Sequence, residues 1–464
     1  MFSTMDRDDV RESKKGTRLL VGDGAMGTML QEAGLPAGEV PEGWNISHPR
    51  VITEVHRQYL EAGADIIETN TFGGNGYKLR GVTAREIREI NMAGSRLARE
   101  AAGSRALVAG SMGPTGCLLV PWGELSFAEA MQAYILQAEA LVAGGADFLL
   151  IETMTDLQEA RAAMFGAMCT GIPVAVQLAF DISGHTLMGT PGAVAAGVLS
   201  AFSPLWVGCN CGTGPENMLD LICQMRHWTD SVSAFPNAGL PEWQGGEQVY
   251  PLDPEQFALG GKKLFEAGAS LVGGCCGTTP SHIQMLRKAL GSDSGAIRPH
   301  DHLNEMVTMR ASHHSMLEDI KWVVGEETKD YHMQSVQPGM FLASRTTIFP
   351  LGKSGVEYQL ESVGSIENFE PRSWSSNREA DDSTRVQIPI IEIPEDLESD
   401  VIASLVAELQ IGAMPIVFVG NCLGTLREAL LNYCGRAGII MTVQGDHSDY
   451  LETAVAMGAL PVYL

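Results

Sequence analysis

Eight β-rich runs alternate with longer amphipathic stretches between residue 18 and residue 290. That order predicts an α/β chain that opens with a (β/α)8 barrel, and the helix–strand alternation near the end predicts a smaller C-terminal α/β domain. The strings EAGAD, AGGAD and EAGAS recur just ahead of strands, where a glycine in a left-handed cap would end one helix and admit the next strand. A doubly wound open sheet is the alternative, but it would normally show fewer strands before a domain break.

The strands, in order, are Arg18–Gly22, Asp65–Thr69, Ala106–Gly110, Asp147–Glu152, Pro173–Phe180, Leu205–Asn210, Val232–Phe235 and Ser270–Gly274. Each is short and rich in β-branched or bulky apolar residues, as buried parallel strands are. Helical periodicity fills Val51–Ala62, Ala84–Ala102, Phe127–Ala143, Asp156–Cys169, Pro215–Met225 and Pro254–Ala267. The barrel is expected over 1–290, a polar linker over 291–305 and the second domain over 306–464. In that domain Met306–Val324 reads as a helix and Val336–Phe369 as short strands, followed by a polar loop at Pro371–Thr384. Helices at Leu397–Gln410, Thr425–Cys434 and Asp449–Met457 then alternate with strands at Pro415–Val419, Gly438–Val443 and Pro461–Leu464.

Composition narrows the function. The 464 residues carry 31 Lys and Arg against 56 Asp and Glu, a net charge of −25. A field of that sign repels phosphate backbones and anionic lipid, so neither nucleic acid nor membrane is an expected partner. Charge interrupts every apolar segment before the ~18 residues that a membrane helix needs. The opening stretch is charged and unlike a signal peptide, so the expected compartment is the cytoplasm. Nine cysteines are far too few for a disulfide scaffold of this size, and clustered thiols in a reducing compartment point to metal or catalysis.

Such a cluster exists. Cys275 and Cys276 follow the eighth strand in GGCCGTTP, and Cys211 follows the sixth in GCNCGTGP. Strand C-termini of a barrel open on one face, so the three thiols can converge. Three thiolates suit zinc and leave one coordination position open, as a catalytic site does. Two small buried residues in a Gly-rich turn would also explain the vicinal pair; Cys211 at a matching strand end favours the metal. Cys209 competes as a ligand, but it lies inside its strand. Asp23, Glu68 and Glu152 fall at the same mouths, as does Asn237. Any one acidic residue there could be a helix cap, the role expected of Asp156. Three are harder to assign wholly to capping, and carboxylates beside zinc suit a substrate with an ammonium group. The turn at Gly24 and Gly27 offers backbone N–H groups to a carboxylate.

The strings DGAMGTML, EAGADIIETNTFGGN, GSMGPTG, GADFLLIETMTDLQEA, GCNCGTGPENM, FPNAGLP and GGCCGTTPSHI occur in that order. Over Leu19–Leu290 the chain resembles the zinc-dependent homocysteine S-methyltransferase family, and most of all the homocysteine-binding module of cobalamin-dependent methionine synthases. The resemblance implies zinc on Cys211, Cys275 and Cys276. It implies homocysteine held through its amino group by Asp23 and Glu152, and through its carboxylate by the backbone of Gly24 and Ala25. Phe235 stands where the family commonly has tyrosine. No Asp-x-His-x-x-Gly cobalamin motif is present, the nearest string being Asp446–Tyr450 (DHSDY). The expected donor is therefore methylcobalamin on a separate corrinoid protein. S-methylmethionine or betaine is the alternative donor, and a non-catalytic zinc or thiol-binding scaffold the alternative function. The segment from Pro389 to Leu464 resembles the closing β–α units of a pterin-binding barrel, so the C-terminal domain is expected to be a diverged remnant of one.

Overall fold

The computed structural model describes residues 19–36, 38–244 and 247–291, and shorter stretches between 300 and 462. Two compact units result. The first runs to Met309 without Leu118–Phe127 and Gly197–Ser203, which group with residues 310–464 in the second.

The first unit is the barrel. Its strands are β1 (Leu20–Val21), β2 (Ile66–Glu68), β3 (Leu107–Met112), β4 (Phe148–Met154), β5 (Val174–Leu178), β6 (Val207–Asn210) and β7 (Val232–Phe235). A hairpin follows, β8 (Glu242–Gln244) with β9 (Glu247–Val249), and then β10 (Ala269–Val272). The sheet order is β1-β10-β7-β6-β5-β4-β3-β2, every pairing is parallel, and a bridge from Gly22 to Ile66 brings β2 back to β1. The hairpin departs from the expected plan; its sequence signal is the Gly-Gly pair at 245–246 between two short runs. The helices are α1 (Met26–Glu32), α2 (Trp44–Ser47), α3 (Pro49–Glu61), α4 (Ala84–Ala102), α5 (Phe127–Gly144), α6 (Leu157–Met168), α7 (Gly192–Ser200), α8 (Pro215–Met225), α9 (Pro254–Glu266) and α10 (Pro280–Leu290). Their starts are chemically marked. Thr83 and Glu86 form a capping box on α4, Asp156 accepts the Gln158 N–H on α6, and Asp253 accepts the Gln256 N–H on α9.

The recurrent Gly-Ala-Asp string has a second use. Gly63 and Gly145 have φ of 98° and 107°, which an L side chain rarely adopts. Two residues on, Asp65 accepts the Val21 N–H of β1 at 3.0 Å and pairs with Arg287 of α10. Asp147 accepts the Val108 N–H of β3 at 2.7 Å and pairs with Arg99 of α4. Each Arg also donates to the carbonyl of the turn glycine. The string thus ends a helix, starts a strand and pins it to its neighbour. The barrel interior is filled by Leu20, Ile66, Leu107, Phe148, Leu150, Trp206, Phe235 and Leu271. Trp206 is fully buried and its indole N–H donates to Ser270 Oγ at 3.1 Å, so its polar atom is satisfied.

In the second unit a seven-stranded sheet has the order β11 (Trp322–Val324), β12 (Tyr331–Met333), β15 (Glu357–Ser365), β16 (Arg385–Glu392), β17 (Val417–Gly420), β18 (Gly438–Met441) and β19 (Leu460–Val462). The first two pairings are antiparallel and the last four parallel. A separate antiparallel pair is β13 (Phe341–Ala343) with β14 (Ile348–Pro350). Helices α11 (Ser399–Leu409), α12 (Leu423–Asn432) and α13 (Ser448–Ala456) alternate with β16 to β19. Trp322–Val324 is a strand and not the end of a helix, in keeping with an aromatic residue followed by two β-branched ones. The rest of the expected Met306–Val324 helix from 308 on, and the loop Pro371–Thr384, lie outside the described residues. Among the described residues no helix is long and apolar enough to cross a membrane.

Candidate functional site

The site is built where β1, β2, β4, β6 and β10 end. β6 stops because Cys211 and Gly212 adopt φ of 57° and 68°. A Cβ on Gly212 would stand 2.3 Å from the Phe180 carbonyl oxygen, so only glycine lets the chain turn there. The Cys211 N–H donates to the Phe235 carbonyl at 3.0 Å, and the Cys275 N–H to the Pro236 carbonyl at 2.8 Å. Both bonds hang the cysteine loops on the end of β7. The result is a thiol triangle: Cys276 Sγ lies 3.9 Å from Cys211 Sγ and 3.9 Å from Cys275 Sγ, and all three lie within 4.8 Å of one another. A tetrahedral zinc with Zn–S bonds of ~2.3 Å separates its sulfurs by about 3.8 Å. The triangle therefore fits zinc in donor type and in spacing. Cys209 is fully buried within β6, where burial pushes its thiol up to about 12.

The thiols divide their protons. Hydrogen bonds from Cys211, then from Cys275, hold Cys276 far below an ordinary thiol, at about 3. Cys211 rises to about 11: its bond with Cys275 lowers it, but hydrogen bonding to Cys276, burial and the Cys276 charge outweigh that. Cys275 is pushed up by its hydrogen bonds to Cys211 and Cys276 and by burial.

Beside the triangle opens a cavity of about 600 Å³, whose wall includes Gly24, Ala25, Glu68, Ser111, Glu152, Asn210 and the three cysteines. Ser111 Oγ donates to Glu152 Oε1, and Asn210 Nδ2 donates to Oε2 at 3.1 Å. Asp23 lies behind this wall. It accepts the Glu68 N–H at 2.9 Å through Oδ2, and its buried Oδ1 has no hydrogen-bond partner among the described residues. Glu68 Oε1 is likewise buried with no partner among the described residues. Burial raises all three carboxyls. Asp23 goes well above the usual range, with the Glu152 charge adding to burial and the Glu68 N–H opposing. Glu68 rises further through the charges of Glu152 and Asp23. Glu152 reaches about 7, burial first, with Ser111 opposing and the Cys276 charge adding. A cation placed among three such acids would favour their charged forms.

The other expected residues are placed as follows. Gly24 and Ala25 line the cavity, but the Ala25 N–H is engaged by Thr278 Oγ1 at 3.0 Å. Asn237 is 3% exposed and is not part of the cavity wall; its N–H donates to the Thr213 carbonyl. Residues that the sequence did not single out complete the site. Thr278 also donates to the Cys275 carbonyl at 2.6 Å, and the Tyr59 hydroxyl lies 3.1 Å from the Ala25 carbonyl and 3.2 Å from that of Thr278. Together they tie the β1 turn to the cysteine loop. Tyr250 packs over Gly277; burial, and then the Cys276 charge, raise its phenol. Asn210 could have been suspected as a polar residue ending a buried strand between two cysteines. Tyr59 had no signal, since it occupies the apolar face of α3.

The sequence profile of the homocysteine S-methyltransferase family matches residues 20–290. Two methionine synthases are similar to the chain: that of Mycobacterium leprae is 38% identical over 295 residues, and that of Mycobacterium tuberculosis 40% identical over 300. Each match covers 59% of this chain but only 24% and 25% of the respective relative, so the chain spans about a quarter of their length. Among solved structures, the homocysteine methyltransferase MmuM of Escherichia coli is similar at 26% identity and a TM-score of 0.50, in an oxidized and in a metallated form. The oxidized-form match covers 58% of this chain and 95% of that one, and the metallated-form match 59% and 96%.

Proposed function

We propose that this chain, which belongs to the homocysteine S-methyltransferase family through residues 20–290, transfers a methyl group to homocysteine and so forms methionine. The observation that carries the reading is the thiol triangle, with 3.9 Å edges, opening onto a cavity walled by Glu152 and Glu68. Cys211, Cys275 and Cys276 would hold zinc, which supplies a Lewis acid able to keep a substrate thiol ionised at neutral pH. The protein's own groups do the rest. Glu152 takes the ammonium group, its two oxygens fixed by Ser111 and Asn210. The ammonium group draws Glu68 in the wall and Asp23, which accepts the Glu68 N–H, back toward ionisation against the burial that raises both. The substrate carboxylate lies along the turn from Gly24 to Thr28, which faces the cavity. The substrate sulfur, held in place, attacks the methyl carbon in line; the new S–C bond forms as the donor–methyl bond breaks, and that electron pair leaves with the donor.

For the donor we favour methylcobalamin carried by a separate corrinoid protein, because the similar sequences are methionine synthases. The second unit we read as a diverged pterin-binding-barrel remnant that serves as a dock or support; its β16 to β19 are parallel and in sequential order. A free sulfonium or ammonium donor is the second reading. It is favoured by the match to MmuM, a homocysteine methyltransferase spanned almost wholly by this barrel. We place the protein in the cytoplasm, where the thiols would stay reduced.

Zinc-loaded protein should be offered homocysteine with methylcobalamin, S-methylmethionine and betaine in parallel. Methionine should form from methylcobalamin with a high KM, because an untethered donor lacks the millimolar effective concentration of a linked domain. Turnover of S-methylmethionine or betaine alone moves the assignment to the second reading. Failure with every donor, despite bound zinc and homocysteine, leaves the scaffold.

A further inference from the structure

Building on the reading that Glu152 receives the substrate ammonium, we propose that Asn210 is the positioning residue that aims the Glu152 carboxylate. Asn210 thereby sets the preference for an α-amino thiol over a plain thiol.

Asn210 ends β6, and Glu152 lies near the end of β4, with β5 between them in the sheet. No ladder hydrogen bond can join β6 to β4 across β5. The Asn210 side chain does so instead, and every polar atom of its amide points to the same place. Nδ2 donates to Glu152 Oε2 at 3.1 Å and to Thr153 Oγ1 at 2.7 Å, and Oδ1 accepts the Thr153 N–H at 2.7 Å. Asn210 is 1% exposed, so none of these bonds competes with bulk water.

The backbone around the bridge is held in a costly state. Thr153, next to Glu152, has φ of 58°, and Cys211, next to Asn210, has φ of 57°. Such conformations persist outside glycine only where the surroundings over-determine them. The Thr153 N–H and hydroxyl both end on Asn210, so this one amide holds the turn that presents Glu152. Ser111 of β3 fixes the other carboxylate oxygen. Glu152 is thus braced from both sides, by β3 and by β6. Without Asn210 the carboxylate keeps its charge but loses its aim. A misaimed carboxylate penalises a ligand with an ammonium group and spares one without.

The test compares homocysteine with 4-sulfanylbutanoate, the same thiol acid without the amino group. Binding to zinc-loaded full-length protein is measured by calorimetry, with zinc content checked for each variant. Asn210→Ala should weaken homocysteine about tenfold, the scale of one hydrogen bond to a charged group, and leave 4-sulfanylbutanoate within about twofold. If Asn210→Ala loses zinc or unfolds, Asn210→Ser is read in its place; it keeps one polar atom but has no amide to bridge Glu152 and Thr153. Glu152→Gln is the arm for the underlying reading and should also erase the preference. If Glu152→Gln erases it and the Asn210 variant leaves it unchanged, the positioning role is wrong and the ammonium site stands. Equal weakening of both ligands by the Asn210 variant also refutes the role. If Glu152→Gln leaves the preference intact, the ammonium assignment fails and the inference fails with it.

Discussion

Replacing Cys276 by alanine removes the vertex of the thiol triangle that lies 3.9 Å from both other sulfurs. Zinc held by four ligands in small protein sites is bound by roughly 10–16 kcal/mol, so each ligand is responsible for about 3–4 kcal/mol. Losing one should weaken zinc about a hundredfold to a thousandfold. The same holds for Cys275→Ala and Cys211→Ala. Cys209→Ala is the control: it lies two residues from Cys211 but is sealed inside β6, so it should retain zinc and lose about 1 kcal/mol of packing. The assay is zinc per chain after equilibration with a series of chelators of graded affinity. Wild type and Cys209→Ala should both hold one zinc through the same range, and the three other variants should release it to weaker chelators. Wild-type retention by Cys275→Ala and Cys276→Ala, or loss by Cys209→Ala, would refute the assignment.

Asp65→Asn should destabilise the barrel by about 2 kcal/mol in urea unfolding. It strips the counter-charge from Arg287, whose side chain is 21% exposed, while Asn can still accept the Val21 N–H; both facts reduce the cost below that of a fully buried broken pair. His56 is buried on α3 with neither ring nitrogen hydrogen-bonded among the described residues, and burial lowers its pKa from 6.5 to about 4. The unfolded chain then binds the extra proton first, so stability present above the unfolded value is lost as pH falls toward 4, by about 2 kcal/mol at pH 5. His56→Leu should flatten that part of the stability–pH curve; an unchanged slope would place the acid sensitivity elsewhere.

The barrel was legible because its signals are local. A glycine after a helix and an aspartate two residues on mark a strand entry whatever surrounds them, and the structure shows the same Asp65 and Asp147 pinning that entry to the preceding strand. The cysteines were legible because barrel topology alone sends the ends of β6 and β10 to one face. What sequence could not show is what depends on distances between strands. Asp23 falls at a strand mouth as Glu68 and Glu152 do, yet it lies behind the wall they form. Asn210, Ser111, Thr278 and Tyr59 act through bonds to residues between 34 and 253 positions away. The Ala25 N–H, a carboxylate donor by its place in the turn, is held by Thr278 Oγ1 from 253 positions along the chain.

The central claim is that homocysteine sulfur joins a zinc held by Cys211, Cys275 and Cys276. Zinc X-ray absorption on the full-length protein, with and without homocysteine, tests it most directly. Zinc should show three sulfur neighbours at ~2.3 Å alone and four when homocysteine is added. An unchanged sulfur count with saturating homocysteine would contradict it.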